Sequence, residues 1–138
     1  MILVDANVLM YAAGAQHAHK QPSVRLLECI ADGTIEAALD AEVLREVLHR
    51  YRAIDRWVDG AQVYDDARRI FGIVLPITAD IADDARLLLD QHQGISARDA
   101  LHAAVALRHE LAALCSYDLG FDSIAAVHRV TPVELLDG

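Results

Sequence analysis

A chain of 138 residues with 54% hydrophobic content and a formal net charge of −9 is long enough to bury a core of its own. No apolar run approaches the roughly 20 residues that span a bilayer. The opening Met1–Leu9 lacks a basic stretch and carries Asp5 inside its apolar run, so no signal peptide is expected and cytoplasmic residence is the default.

In chain order, residues 1–8 read as a buried strand, because Ile2, Leu3 and Val4 run without alternation, as central parallel strands do. A helix is predicted over about 22–31, with Pro22 at its first position and Gly33 just past its end. Residues 35–39 form a second strand, after which Asp40 caps a helix to about Arg52. A helix over 57–71 ends at Gly72, and 73–77 makes a third strand. Thr78 caps a helix to about Gln91 with Leu87, Leu88 and Leu89 on its core face, and Ser96 caps another over 97–109. A fourth strand over 114–117 and a fifth over 127–131 complete the set. Strands alternating with helices imply crossover connections, hence one α/β domain over residues 1–138: a three-layer fold with a mainly parallel sheet of four to five strands. Cys29 and Cys115 stand alone, without metal or framework spacing, and are expected as two buried thiols.

The charge speaks against a broad, high-affinity nucleic-acid binder, since phosphate backbones reward Lys and Arg. It leaves a nuclease open. Bound divalent cations would cancel part of an acidic pocket's charge, and all but one of the 12 basic residues are Arg, the better phosphate fork. In an open parallel sheet the ligand crevice lies beyond the carboxyl ends of the strands. Asp5 sits near the end of the first strand, Asp118 follows the fourth with Asp122 four residues on, Asp99 lies in the first turn of the helix opened by Ser96, and Glu46 lies in the helix leaving the second strand. All five belong to segments brought toward one edge. Carboxylate oxygens are the ligands hard cations prefer, and such ions activate water and stabilise in-line displacement at phosphorus.

Each residue also has a plainer role. Asp5 could be a strand-end turn residue, although burial there would be costly. Ser96-x-x-Asp99 is close to a capping box, Asp118 and Asp122 could cap the turn at Gly120, and Glu46 competes with Glu42 one turn earlier. His17-x-His19 is no metal motif by itself. His102 and His109 share a helix face, and His102 reads as packing or as a hydrogen-bonding partner behind the ligands. The stretch around Ser96 lacks a nucleophile elbow, and no Gly-rich loop matches a nucleotide fingerprint.

The constellation resembles the PIN-domain nucleases, and within them the VapC-type toxins of toxin–antitoxin pairs. It is carried by the opening Met1-Ile-Leu-Val-Asp5-Ala-Asn7-Val-Leu9, by Ala41-Glu-Val-Leu-Arg-Glu46-Val-Leu48, by Ala97-Arg-Asp99-Ala-Leu-His-Ala-Ala104 and by Ser116-Tyr-Asp118-Leu-Gly-Phe-Asp122. By this resemblance Asp5, Glu46 and Asp99 take the three central acidic positions, Asp118 the fourth, Asp122 an accessory place, and Asn7 a polar position beside the first acid. The family register also favours Glu46 over Glu42. The resemblance implies an endoribonuclease dependent on Mg2+ or Mn2+, a homodimer, and a cognate antitoxin whose tail lies across the active site. Arg45, Arg50, Arg98 and Arg108 are candidates to meet RNA. Two other readings stand beside it. A haloacid-dehalogenase-like phosphatase or receiver domain would need a late lysine, but Lys20 is the only one. A catalytically inactive PIN-like domain would act only as a protein- or RNA-binding module.

Overall fold

The computed structural model describes residues 1–138. Five short strands, β1 (Ile2–Val4), β2 (Ala37–Asp40), β3 (Val74–Leu75), β4 (Ala113–Cys115) and β5 (Arg129–Val130), form one sheet in the order β3-β2-β1-β4-β5. Every neighbouring pair is parallel, with Ile2 in register with Ala37 on one side and Ala113 on the other. Seven helices connect them: α1 (Ala6–Ala13), α2 (Lys20–Ala31), α3 (Ala41–Ala53), α4 (Trp57–Ile70), α5 (Ala79–Gln91), α6 (Ala97–Arg108) and α7 (Pro132–Asp137).

The alternation of a strand's side chains splits the core in two. Ile2 and Val4 join Leu9, Leu26, Val43, Val47 and Phe71 under α1 to α4. Leu3 and Leu114 face the other way, toward Ile81, Ala85, Ala103 and Phe121 under α5 and α6. The sheet is thus the middle of three layers, as the sequence predicts. No helix is long and apolar enough to cross a membrane.

Helix starts follow local capping chemistry. The side chains of Asp40, Thr78, Ser96 and Thr131 accept hydrogen bonds from the amides of Val43, Ile81, Asp99 and Glu134 at 3.0, 3.2, 3.1 and 3.3 Å, satisfying donors the helices leave open. Two elements depart from expectation. The first strand stops at Val4, not at residue 8, because Asp5 caps α1 through Ala6 N at 2.7 Å. A continuous apolar run cannot by itself distinguish strand from helix. Helix α7 begins at Pro132 after the cap Thr131, a cap and first-position proline that announce a helix where the sequence reading has only a strand end. Pro22 is the third residue of α2, not the first, which is tolerated because the first turn's amides have no intrahelical partner. Leu87 is 54% exposed, so the core face of α5 is Ile81 and Ala85 with Leu88 and Leu89. Cys115 is buried, whereas Cys29 is only half-buried; both thiols are free.

Candidate active site

The carboxyl ends of β1 and β4 meet at Ser116. Its hydroxyl donates to Asp5 Oδ2 at 2.6 Å and accepts from Asn7 Nδ2 at 3.0 Å and from the Asp118 amide at 2.9 Å. The Asp5 amide donates to Cys115 O at 3.0 Å. One hydroxyl therefore fixes two candidate acids and the candidate asparagine. Ser116 is not among the residues the sequence singles out for the site, because a serine after a strand carries no signal of its own.

Glu46 arrives from α3 and is 6% exposed. Its Oε1 accepts from His102 Nε2 at 2.6 Å, and the other imidazole nitrogen, Nδ1, meets Asp40 Oδ2 at 2.6 Å. Glu42, its sequence rival, faces away to form a bidentate pair with Arg45. Burial alone would lower the His102 pKa, but the bonds to Asp40 and Glu46 outweigh it and hold the group well above its ordinary value. Both ring nitrogens of His102 are therefore engaged, each against a buried carboxyl group. Burial raises the Glu46 pKa, and the His102 hydrogen bond partly offsets that rise. Asp40 therefore has two duties, capping α3 and anchoring His102.

Asp99 is 5% exposed, and Ser96 Oγ receives its amide, but its carboxyl turns to Asp118. Burial first, then the neighbouring Asp118 carboxylate, pushes its pKa up to about 7. Asp118 is held low by the hydrogen bond from Asp99 and by the Gly120 amide, which donates to Oδ1 at 2.8 Å. Without a cation the two carboxyls share a proton. A Cβ on Gly120 would meet Asp118 Oδ1 at 3.0 Å and Asp99 Oδ2 at 3.7 Å, so the turn leaves space only for the acids.

Four carboxyls from four chain segments are therefore gathered. Arg98 is the only guanidinium against them, with its Nε 3.4 Å from Glu46 Oε2 and 4.0 Å from Asp99 Oδ1, and it is half exposed. Ligand atoms of Asp5, Glu46 and His102 lie within 4.8 Å of one another, yet both His102 nitrogens are already taken by Asp40 and Glu46 at 2.6 Å. The donors left for a cation are carboxylate oxygens, which suit Mg2+ or Mn2+. Asp122 stands apart: its side chain is exposed and taken by Arg129 at 2.9 and 3.2 Å, and Arg129 also donates to Ser116 O at 3.1 Å. It braces the turn from outside.

These acids open into a cleft of about 730 Å3 floored by Asp5, Asn7, Glu46 and Asp118. Its lining also includes Arg45, His49 and Arg50 from α3, Arg56 just beyond it, Tyr11 from α1, Gln16 and His17 from the following loop, and Arg98. Arg108 is elsewhere, paired with Asp84 at 2.8 Å. His109 is exposed at the end of α6. A smaller groove of about 310 Å3 between α1, α2 and α4, lined by Leu9, Leu27, Val63 and Ile70 among others, offers no such acid cluster.

The PIN domain family model matches residues 2–127. Ribonuclease VapC13 of Mycobacterium tuberculosis is 44% identical over 130 residues, covering 94% of this chain and 99% of the relative. Ribonuclease VapC7 of the same organism is 33% identical over 141 residues, 96% of this chain and 92% of the relative. Among solved structures, M. tuberculosis VapC20, described as a sarcin-ricin-loop-cleaving toxin, superposes with a TM-score of 0.73 at 20% identity, covering 89% of this chain and 94% of that one. VapBC2 from Rickettsia felis, bound to a DNA fragment from its promoter, gives 0.73 at 20% identity over 95% and 98%.

Proposed function

We propose that this chain, which belongs to the PIN-domain family and within it to the VapC ribonucleases, is a toxin that cleaves RNA internally with the help of a divalent metal, Mg2+ or Mn2+. The observation that carries this is the convergence of Asp5, Glu46 and Asp118 on one cleft, with Asp99 buried against Asp118 beside it and too little positive charge to balance them. Like charges so placed raise one another's pKa unless a cation neutralises them.

In this reading Asp5, Glu46, Asp99 and Asp118 hold the metal. When bound it would lower the pKa of a water and offset charge developing on the phosphate. The chain's own part is to fix those oxygens in advance. Ser116 orients Asp5 and the Asp118 backbone, and His102 orients Glu46. Asn7 is held beside Asp5 by Ser116 and lines the cleft, where its amide can meet a phosphate oxygen. Arg98, half exposed beside Glu46 and Asp99 and lining the cleft, is placed to meet a phosphate oxygen as well. Asp122 supports Arg129 and takes no ligand role.

Two partners follow from the same membership. The solved neighbours include toxin–antitoxin complexes from Klebsiella pneumoniae and R. felis, so the inhibitor proposed here is a cognate antitoxin. A net charge of −9 and an acidic cleft favour a basic inhibitory segment. We also take the toxin to act as a homodimer.

The test is incubation of total cellular RNA with purified, antitoxin-free protein in Mg2+ or Mn2+ against EDTA, beside Asp99→Asn. Discrete fragments that require metal and are reduced at least about 100-fold in the variant are expected. Absence of both cleavage and Mn2+ binding would overturn the proposal and leave a binding module.

A further inference from the structure

Hydroxyl side chains cap α5, α6 and α7, through Thr78, Ser96 and Thr131. Carboxyl groups cap α1, α3 and the short turn over Leu119–Ser123, through Asp5, Asp40 and Asp118. Asp5 and Asp118 reach the cleft and belong to the proposed metal site. Asp40 is fully buried at the end of β2 and does not line the cleft. Serine caps a helix about as well as aspartate and escapes most of the desolvation a buried carboxylate suffers. Capping alone therefore does not account for an acid at this place.

The second oxygen does. Asp40 Oδ1 accepts from the Val43 amide at 3.0 Å, while Oδ2 lies 2.6 Å from His102 Nδ1. Across the ring, Nε2 lies 2.6 Å from Glu46 Oε1 and 3.6 Å from Asp5 Oδ1. The imidazole is itself fully buried and does not line the cleft. It is a rigid ring, so where one nitrogen points is decided by what holds the other. One carboxylate thus seats both the helix that carries Glu46 and the ring that holds the Glu46 carboxyl group.

Resting on the metal-dependent reading above, we infer that Asp40 is a positioning residue for the metal site. Acting through His102, it fixes the Glu46 carboxylate and so sets the affinity of a site it does not touch. A ligand held in place beforehand loses less freedom when the ion arrives, and groups that bond to metal ligands from behind act in this way. Ser116 does the same for Asp5 from the other side of β1, but it lies next to the ligand it holds. Asp40 works at one remove, with a whole side chain between it and Glu46.

The experiment titrates the metal-free full chain with Mn2+, following the free ion by electron paramagnetic resonance, at a temperature where melting curves show every variant folded. Asp40→Ser and Asp40→Asn both keep the cap of α3, but only the asparagine still reaches His102 Nδ1. Asp40→Ser should weaken Mn2+ binding about 10–100-fold, and Asp40→Asn much less. Introduced into His102→Gln, Asp40→Ser should cost nothing more, because the ring that transmits its effect is gone. A purely structural Asp40 would weaken both backgrounds by the same factor. A second measurement needs no variant: whatever Asp40 does to the metal, the metal does to Asp40. Mg2+ should therefore shift the carboxyl-carbon resonance of Asp40 in the wild type. Unchanged affinity in Asp40→Ser, equal losses in Asp40→Ser and Asp40→Asn, the same loss with and without His102, or an unmoved Asp40 resonance would overturn the inference while the metal site stands. A wild type that binds no Mn2+ would remove the metal reading and this inference with it.

Discussion

His102 holds two buried carboxylates at once, Asp40 and Glu46, and removing it strands both. Breaking a buried charged network by deleting one partner costs about 3–5 kcal/mol. His102→Leu should therefore lower the urea midpoint of the metal-free protein by that much stability; an unchanged midpoint would mean the carboxylates find other partners. Asp99 predicts the opposite sign. Its folded pKa of about 7 lies above the ordinary value near 3.9, so the folded state keeps a proton the unfolded chain releases. The associated stability is complete below about pH 4 and is lost as pH rises through about 7. Glu46 is raised in the same direction, while Asp118, held low, partly opposes them. Melting temperature without metal should fall between pH 5 and pH 8. Asp99→Asn should flatten that slope and melt higher at pH 8, by about 2–4 °C per kcal/mol of repulsion relieved. Parallel wild-type and variant curves would refute this.

At the scale of elements, α3 carries Glu46 together with Arg45, His49 and Arg50 of the cleft lining, so its seating decides the cleft's shape. It packs closely on α4 at Gly60, where a Cβ would stand 2.4 Å from Tyr51 Cβ. Gly60→Ala must push the two helices apart, a cost of about 1–3 kcal/mol. A lower melting temperature together with weaker Mn2+ binding is expected. If metal affinity were unchanged, α4 alone would have moved. The same elements show what local sequence can reveal. Asp40, Thr78 and Ser96 mark their helices because a cap is a contact within three residues. The Asp5 cap is not legible in the same way, because it lies in an apolar run that reads equally well as strand.

Across the whole molecule, the acids could be placed from sequence because a parallel sheet gathers the ends of its strands at one edge. Their partners could not. His102 sits on a helix face that sequence spacing describes equally well as packing, and its two carboxylates lie 62 and 56 positions away. Asp122 shows the converse: it has a motif position, but an arginine seven residues on claims it. The cleft's lining joins α1, the loop after it and α3, and no single stretch contains it.

The hydroxyl of Ser116 ties the first strand to the fourth across 111 residues of chain, and this orders events during synthesis. A growing polypeptide on the ribosome possesses Asp5 early but cannot orient it until β4 has emerged and taken its place beside β1. Products truncated before residue 116 therefore lack the hydroxyl that holds the Asp5 carboxyl in place.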